Sequence, residues 1–536
     1  MELAKEVTVP QTYQVVIVGG GPVGMALAVE LGQRGVSCVV VERHLEVGRI
    51  PKGQNLTQRT LEHFYFWHCV DELRAARLLP PGYPIGGLTA YGSLASEYWY
   101  APPGLEQVRS YYFQENERLP QYLTEQVLRD RVAQLPSVEA LLGWTAKSVE
   151  QDDDGVHVTI AGEEWPYEEQ VLDGQFVVGC DGARSLVREA IGIERRGPDY
   201  GLRMLLAVFR SKDLHEGLER FPNRTTFRVI KPETNGIWQF FGRVDVGESF
   251  FFHGPVPPET TSSDVEYLKA MLAEVAGFPI EVEFDYIGFW DMRIEVATTY
   301  RSGRGFIAGD ACHSHPPYGG FGLNTGIEDV ANLGWKLAAA LEGWGGDALL
   351  DSYGEERQPV FEDTGLKVIA GGISKDAEFL ARYNPNLDRA EFEEAWSRRT
   401  TGDAAGPSYE PNYEGSSVVL GPKDARIGAS GSHSFAARAG HHLAPLVLGT
   451  GRNVYEELGE GFTLLAFDAE ESDVAALAAA AVNARVPLTI VRDSFTDERK
   501  EFDARLVLVR PDQFVVWAAD KAPATVTELF ARVTGS

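Results

Sequence analysis

Uninterrupted apolar runs and runs of helical spacing alternate at the start of the chain. Residues 13–18 form a short β-branched run that predicts a buried strand. Glycines follow, then residues 25–31 with the spacing of a helix that ends near Gly35, and a second apolar run over residues 36–41. This order predicts a β-α-β unit, and with it an α/β protein whose first domain is Rossmann-like.

Between residues 57 and 179 the hydrophobic pattern predicts both helices and strands. Residues 57–66 and 124–132 predict helices, and residues 176–179 predict another buried strand. A hairpin is expected over residues 149–164, because apolar and polar residues alternate around a turn at 152–155.

The middle of the chain has a different character. Between about residues 188 and 300 it is rich in strands and aromatic residues, which predicts a mixed sheet in a second domain. Residues 305–310 return to the buried-strand pattern. A long helix is expected after them, since Ile327, Val330 and Leu337 have helical spacing.

The last part of the chain is predicted to be a separate module. Residues 401–416 are rich in Gly, Pro, Ser and Thr, which is typical of a linker. Strands are expected at residues 462–467, 488–491, 506–509 and 514–518, and a helix at 474–484. The predicted division is residues 1–187 and 299–400 for the two parts of the first domain, 188–298 for the mixed-sheet domain, 401–420 for the linker and 421–536 for the C-terminal domain.

Composition and charge narrow the possible partners. A chain of 536 residues exceeds one hydrophobic core, and 44% hydrophobic with 24% charged residues is typical of a globular protein. The formal charge of −29 argues against nucleic acid or an anionic membrane as a partner. No secretion signal or bilayer-spanning run is visible, and the four scattered cysteines form no C-x-x-C pair. We therefore expect a cytoplasmic protein without a structural zinc site.

A dinucleotide fingerprint follows the first strand. Gly19-Gly20-Gly21-Pro22-Val23-Gly24 is a G-x-G-x-x-G whose glycines allow a tight turn, close approach of a pyrophosphate and helix packing. Glu42 ends the second strand, where a carboxylate can accept hydrogen bonds from both ribose hydroxyls. Arg43 beside it could instead select a ribose phosphate. The unit predicts a dinucleotide site but does not by itself distinguish FAD from NAD.

Two later motifs carry a family resemblance. Residues 176–188, around Cys180-Asp181-Gly182, resemble the Asp-Gly motif of the class A flavoprotein monooxygenases, the para-hydroxybenzoate and phenol hydroxylase-like enzymes. Residues 303–317, around Gly309-Asp310, resemble the Gly-Asp motif of that family, and residues 319–329 are typical of its continuation. The resemblance covers roughly residues 13–370 and implies an FAD-binding domain interleaved with a mixed-sheet substrate domain.

The resemblance also implies the residues that bind FAD. The expected FAD contacts are Gly19, Gly21, Pro22, Val23, Gly24, Glu42, Arg43, Arg59, Gln121, Asp181, Gly309, Asp310, Pro317, Gly320, Gly322, Leu323 and Asn324. A helix that begins at the glycine-rich turn of residues 319–324 would stabilise an anionic reduced flavin. The chain has no second G-x-G-x-x-G, as in class A enzymes, so the choice between NADPH and NADH as reductant stays open.

The implied activity is hydroxylation of a phenolic or heteroaromatic substrate with NAD(P)H and O₂ through a flavin C4a-hydroperoxide. His253 and Arg293 are the candidates for helping to deprotonate the substrate. Epoxidation or Baeyer–Villiger oxidation on the same fold is one alternative, and a non-catalytic flavin-binding protein is another. Halogenation is disfavoured because the sequence lacks W-x-W-x-I-P.

Two further features favour structural roles. His313 and His315 lack a carboxylate or third histidine at ligand spacing, so no metal site is predicted. Cys312 stands where many relatives have alanine, and we expect it to be an unreactive packing residue. The C-terminal module is similar to the thioredoxin-like extension of the phenol hydroxylase branch, but no cysteine follows Cys312. This excludes thiol–disulfide exchange there and leaves packing or homo-oligomer contacts.

Overall fold

The computed structural model describes residues 12–102, 105–162, 169–400 and 408–536. The strands in these ranges are β1 (Thr12–Val18), β2 (Cys38–Glu42), β3 (Asn55–Leu56), β4 (Gly87–Tyr91), β5 (Trp99–Tyr100), β6 (Glu117–Arg118), β7 (Val138–Leu142), β8 (Trp144–Gln151), β9 (Val156–Gly162), β10 (Glu169–Gly179), β11 (Arg195–Arg196), β12 (Asp199–Arg210), β13 (Thr226–Ile230), β14 (Gln239–Arg243), β15 (Ser249–Val256), β16 (Glu283–Arg293), β17 (Glu295–Ala297), β18 (Arg301–Ser302), β19 (Gly305–Ile307), β20 (His313–Ser314), β21 (Ser408–Asn412), β22 (Gly428–Gly431), β23 (Phe462–Phe467), β24 (Leu488–Asp493), β25 (Leu506–Val509) and β26 (Val515–Ala519).

The helices in the same ranges are α1 (Pro22–Gln33), α2 (Gln58–Phe66), α3 (Val70–Ala75), α4 (Gln121–Val132), α5 (Leu186–Ala190), α6 (Lys212–Gly217), α7 (Val265–Ala276), α8 (Phe321–Leu341), α9 (Asp347–Glu362), α10 (Gly371–Arg382), α11 (Arg389–Thr400), α12 (Glu471–Asn483) and α13 (Val526–Val533). A π-helical segment, Asp363–Ala370, joins α9 to α10. Short 3₁₀ turns lie at Leu105–Tyr111, Leu218–Arg220, Pro232–Thr234, Gly309–Ala311, Tyr318–Gly320, Val454–Glu457 and Asp497–Phe502.

The first sheet has the order β18-β19-β10-β1-β2-β7, with β9 paired to β10 and β8 to β9. Its central strand β1 pairs in parallel with β10 and β2, so that Val18 lies opposite both Gly179 and Val41. The predicted β-α-β unit and the strand before Gly179 are confirmed. The predicted hairpin is confirmed as far as residue 162, and its last two residues, 163–164, lie outside the described ranges. Parallel pairing brings the ends of β1, β2 and β10 to one edge, where the predicted cofactor motifs begin.

The second sheet confirms the expected aromatic mixed sheet. Its order is β16-β12-β15-β14-β13-β4-β5, so β4 and β5 join it from before residue 188. One face packs against α7 through a buried cluster that includes Phe209 and Phe252. The opposite face carries Phe240 and Phe251 and contacts Tyr318 of the first domain. Period-two alternation along β15 therefore separates the core of this sheet from the side that faces the cofactor domain.

The C-terminal module contains a four-stranded sheet of order β24-β23-β25-β26, in which β23 and β24 are parallel and the other pairs antiparallel. Its core continues into the first domain through Trp335 and Trp344. In the predicted linker, residues 408–412 form β21, which pairs with β22, and residues 401–407 lie outside the described ranges. The domain boundaries at 187, 298, 400 and 420 stay predictions.

None of the helices in the described ranges has the length and apolar content needed to cross a membrane. Among the described residues, no group of three or more His, Cys, Asp or Glu side chains is placed to hold a metal ion.

Candidate active site

A large central cavity lies between the first sheet, the second sheet and the C-terminal module. Its volume is about 1410 Å³. A pocket for one drug-sized ligand measures about 300–1,000 Å³. The cavity is therefore large enough for a dinucleotide and a second organic molecule together.

The glycine turn after β1 forms one end of this central cavity. Gly19 has φ +101°, and a Cβ there would lie against the backbone of Cys180 and Asp181. A Cβ on Gly24 would collide with the carbonyl oxygen of Gly19, because α1 packs closely on the turn. Gly21 has no atom within 4 Å of the position a Cβ would take, and it lines the cavity. The open space in front of Gly21 fits a pyrophosphate at the N-terminus of α1.

Glu42 closes the same end of the cavity. Its Oε2 accepts a hydrogen bond from the Gly20 backbone N–H at 2.7 Å, and its Oε1 accepts one from His44 N–H at 2.8 Å. These bonds fix the carboxylate beside the glycine turn, and its remaining lone pairs can receive ribose hydroxyls. Arg43 also lines the cavity, where it is exposed and donates to the ring of His44.

The Asp-Gly and Gly-Asp motifs meet where β10 and β19 end side by side. Asp181 and Asp310 both line the cavity. Burial raises the pKa of Asp181, and its Oδ1 has no hydrogen-bond partner among the described residues. Gly309, at φ +61°, does not line the cavity but packs on Val23. The two acidic residues thus flank the path from the glycine turn to the middle of the cavity.

A buried carboxylate behind the Gly-Asp turn holds the turn in place, a role that no contiguous sequence motif indicates. Asp329 Oδ2 accepts hydrogen bonds from Gly309 N–H at 3.1 Å and His313 Nε2 at 2.7 Å. Its Oδ1 accepts one from Arg357 at 2.8 Å. Burial would raise the pKa of Asp329, but His313 and Arg357 lower it. In the sequence Asp329 is visible only as part of the Glu-Asp pair on α8, and only the fold brings it next to the Gly-Asp turn.

The glycine-rich turn before α8 lies at the middle of the cavity. Gly319 and Gly320 have φ of +76° and +72°, which only glycine adopts without strain. Asn324 braces the turn, because its Nδ2 donates to Gly320 O at 2.6 Å and Asn55 O at 2.8 Å. Lining residues from this region that were predicted as FAD contacts are Gln121, Pro317, Gly320, Gly322, Leu323 and Asn324. The N-terminus of the 21-residue helix α8, with its unpaired N–H groups, therefore opens onto the cavity.

Arg59 lies at the cavity wall, but its guanidinium is already engaged. It pairs with Glu328 at 3.0 Å and Glu62 at 3.0 Å, and it donates to Gln513 and the Asp512 carbonyl of the C-terminal module. Burial alone would lower the pKa of Arg59, but the two glutamates raise it. Arg59 therefore joins the C-terminal module to the wall of the cavity.

Aromatic side chains of the second sheet and of the turn before α8 form the other end of the cavity, called here the aromatic wall. It consists of Trp238, Phe240, Phe251, His253, Tyr318 and Phe321. His253 stacks on Phe240 with ring centroids 5.1 Å apart and is 4% exposed. Burial lowers the pKa of His253 to about 3, so the imidazole is neutral at ordinary pH. The wall suits a planar ring and offers one neutral polar group to it.

Arg293 is not brought to the central cavity, in contrast to His253. It lies at the end of β16 and pairs on the exposed side of the sheet with Asp199 at 2.9 Å and Asp291 at 3.7 Å. Trp290 and Met292 face the opposite side, because successive residues of a strand alternate. Arg293 therefore does not line the cavity in which the other candidate, His253, lies.

Cys312 has the surroundings of a packing residue. It is fully buried, and burial raises the pKa of its thiol well above the ordinary value. A thiol in such a setting stays protonated and is a poor nucleophile.

Comparison with known sequences identifies two matching families. The family described as FAD binding domain matches residues 12–365, and the family described as aromatic-ring hydroxylase, C-terminal, matches residues 436–536. The FAD-dependent monooxygenase apdD of Emericella nidulans is 30% identical over 94% of this chain and 87% of its own length. The 4-methyl-5-nitrocatechol 5-monooxygenase of a Burkholderia species is 32% identical over 96% of this chain and 95% of its own length.

Comparison with solved structures shows the same fold over nearly the whole chain. The flavin-dependent monooxygenase PieE, in complex with FAD and substrate, has a TM-score of 0.83 at 25% identity, covering 98% of this chain and 99% of PieE. Aklavinone-11 hydroxylase, in a ternary complex with FAD and aklavinone, has a TM-score of 0.82 at 25% identity with the same coverage.

Proposed function

Because the chain belongs to the class A family of FAD-dependent aromatic-ring hydroxylases, we propose that it hydroxylates a fused-ring or similarly large phenolic substrate, with NADH or NADPH and O₂ as co-substrates. The observation that carries this proposal is the continuous central cavity. It joins the glycine turn and Asp310 at one end to Phe240 and His253 at the other.

The residues present fit FAD. The open face of Gly21 and the N-terminus of α1 would hold the pyrophosphate, and Glu42 the adenosine ribose. Asp310 would bind the ribityl chain, and the turn at Gly320 the flavin ring. When bound, FAD supplies electron transfer and activation of O₂, and the protein supplies orientation and a dry site.

The size of the substrate is inferred from the space that FAD would leave. The cavity of about 1410 Å³ is larger than the roughly 1,000 Å³ at the upper end for a pocket that holds one ligand, and its lining also includes Tyr409 and Tyr112. Relatives named for polycyclic substrates support this inference. The 12-dehydrotetracycline 5-monooxygenase/anhydrotetracycline 6-monooxygenase of Streptomyces rimosus is 30% identical over 96% of this chain and 97% of its own length.

His253 orients the substrate in this proposal. The indole N–H of Trp290 donates to Nδ1 of His253 at 3.3 Å, so the ring proton resides on Nε2. Nε2 has no acceptor among the described residues. It would donate a hydrogen bond to a ring oxygen of the substrate. With its pKa lowered to about 3, His253 is a donor at neutral pH and not the general base.

The C-terminal module is proposed to have a thioredoxin-like fold with a structural role. The order β23, α12, β24, β25, β26, α13 and the single parallel pair support this fold. Arg510 anchors it in the first domain through Glu356 at 2.6 Å, both side chains being fully buried.

The experiment that tests the function measures NADH and NADPH oxidation by the FAD-loaded enzyme, with and without a panel of mono-, bi- and tetracyclic phenols. We expect stimulation by the larger phenols and products that gain one oxygen atom by mass spectrometry. Oxidation that no phenol stimulates would contradict the proposal. A product with an expanded ring or an epoxide would favour the Baeyer–Villiger or epoxidase alternative.

A further inference from the structure

Arg118 is a buried cation that has no carboxylate partner among the described residues. It lies in β6 at the wall of the central cavity and is 3% exposed. Its Nη1 donates to Asn55 Oδ1 and its Nη2 to the carbonyl oxygen of Arg243 at 3.0 Å. Its Nε has no acceptor in the described ranges. The acceptors that it does have are neutral, so no carboxylate of the described ranges compensates its charge.

Other buried arginines at the cavity wall are compensated. Arg59 pairs with Glu62 and Glu328, and Arg357 pairs with Asp329 at 2.8 Å. The pKa values of these arginines differ according to whether a carboxylate is paired with them. Burial would lower the pKa of both arginines, yet their partners raise it, whereas burial lowers the pKa of Arg118 to about 9. Arg118 is still a cation at neutral pH, and its desolvation is not offset.

The position of Arg118 connects the cofactor turn with the aromatic wall. Its acceptor Asn55 lies against the Gly320 turn, where a Cβ on the glycine would be 3.1 Å from Asn55 Cβ. On the other side, the Arg118 guanidinium carbon lies 5.9 Å from the centroid of the Phe251 ring. A ring seated along the aromatic wall would therefore bring one of its substituents toward Arg118.

We propose that Arg118 binds an anionic oxygen of the aromatic substrate, either a ring carboxylate or an ionised phenol. A guanidinium matches such an oxygen in shape and charge, and the bond would be strong because the site is desolvated. The anionic oxygen of the ligand would form an ion pair with the guanidinium of Arg118, which the fold already buries. This inference rests on the proposed function, because it assigns the ring to the same cavity.

The test is a binding titration of the FAD-loaded enzyme without nicotinamide, monitored by the visible absorbance of the flavin. Two matched pairs serve as probes: 2-naphthoate against 2-naphthamide, and 2-naphthol against 2-methoxynaphthalene. The first pair reports a carboxylate and the second an ionisable phenol. We expect the wild type to bind at least one acidic member about 10-fold more tightly than its neutral partner.

Variants then assign the preference to Arg118. In R118M the affinity for the preferred acidic probe should fall about 10- to 100-fold, while that for its neutral partner changes less than about 3-fold. R118K should keep part of the preference. R210M is the matched control, because Arg210 is exposed on β12 and pairs with Glu283, and its preference ratio should equal that of the wild type.

The proposal would be overturned if the wild type bound the acidic and the neutral member of each pair equally well, or if it bound none of the four probes. It would also be overturned if R118M lost affinity for the acidic and the neutral probe to the same extent. A shifted flavin reduction potential in R118M without lost discrimination would place the cation on the flavin instead. If R118M does not bind FAD, the proposal is tested by the ratio of acidic to neutral probe affinity in the wild type and in R118K. Because no turnover is measured, a failed hydroxylation assay would leave this test intact.

Discussion

The indole N–H of Trp290 on β16 donates a hydrogen bond to Nδ1 of His253 on β15 at 3.3 Å, across the intervening strand β12 of the second sheet. The imidazole is buried and stacks on Phe240, so its plane and its tautomer are both fixed. This relationship makes His253 a directed donor at the aromatic wall.

Replacing His253 with Phe should remove that donor and keep the ring stack. We expect the Kd of the phenolic substrate to rise about 3- to 10-fold, since a neutral hydrogen bond contributes about 1 kcal/mol. H253Q, which keeps an N–H donor, should lose less. Flavin-monitored titration gives both values, and a larger loss in H253Q than in H253F would contradict the donor role.

The dependence of kcat/KM on pH tests the protonation state of His253 independently. Because burial lowers the pKa of His253 to about 3, its ionisation should not appear in kcat/KM between pH 5 and 8. A histidine-like ionisation in that range that disappears in H253Q would show that the imidazole titrates during catalysis.

Buried neutral histidines should also make the fold sensitive to acid. Burial lowers the pKa of His253 to about 3 and that of His315 to about 4. Below the unfolded value of about 6.5, the unfolded chain takes up protons that the folded chain does not. At pH 5.5 each histidine should therefore lower the free energy of unfolding by about 1.4 kcal/mol, relative to its contribution above pH 6.5.

The measurement is the decrease in Tm between pH 7.5 and pH 5.5. This decrease should be smaller in H253Q than in the wild type. In H68N it should equal that of the wild type, because His68 is exposed. Equal changes in H253Q and the wild type would mean that His253 is already protonated in the fold.

Two glycines of the same turn should respond differently to alanine. In G24A the new methyl group meets the Gly19 carbonyl, so the fold itself should be destabilised. In G21A the methyl group points into free space, so the apoprotein should keep its Tm. Its affinity for FAD should fall about 5- to 150-fold, the effect of about 1–3 kcal/mol of overpacking.

Fluorescence titration of the apoproteins with FAD, together with their Tm values, separates these effects. Wild-type FAD affinity in G21A would contradict the placement of the pyrophosphate at this turn.

The C-terminal module should depend on the buried pair of Arg510 and Glu356. R510M leaves Asp512 and Glu356 buried with one cation fewer, and removing half of a buried ion pair costs about 3–5 kcal/mol. The exposed pair of Arg452 and Glu457 is the control, and R452M should change stability by less than about 1 kcal/mol. Denaturant unfolding followed by flavin release measures both, and equal effects would mean that Arg510 does not anchor the module.

The sequence predicted the elements whose signal is local. Strand β23 was expected at residues 462–467 and is found there, because its side chains are buried on both faces. The glycine turn and the residues around Asp310 were found for the same reason, since each motif is contiguous.

Long-range relationships could not be predicted in this way. Arg118 belongs to no motif, and only the fold shows that it is buried with no carboxylate partner in the part of the chain that the structure describes. The chemistry of Arg293 makes it a candidate, but strand alternation from Trp290 places its side chain on the other face of β16. Arg59 lines the cavity as expected, but its bonds to Gln513 and Asp512 depend on residues 454 and 453 positions further along the chain.

The most direct test of the central claim is single-turnover reaction of the reduced, substrate-bound enzyme with ¹⁸O₂, followed by mass spectrometry of the product. The account predicts a ring-hydroxylated product that carries one ¹⁸O atom, with the second oxygen atom released as water. Unchanged substrate with stoichiometric hydrogen peroxide, or a hydroxyl oxygen derived from water, would contradict it.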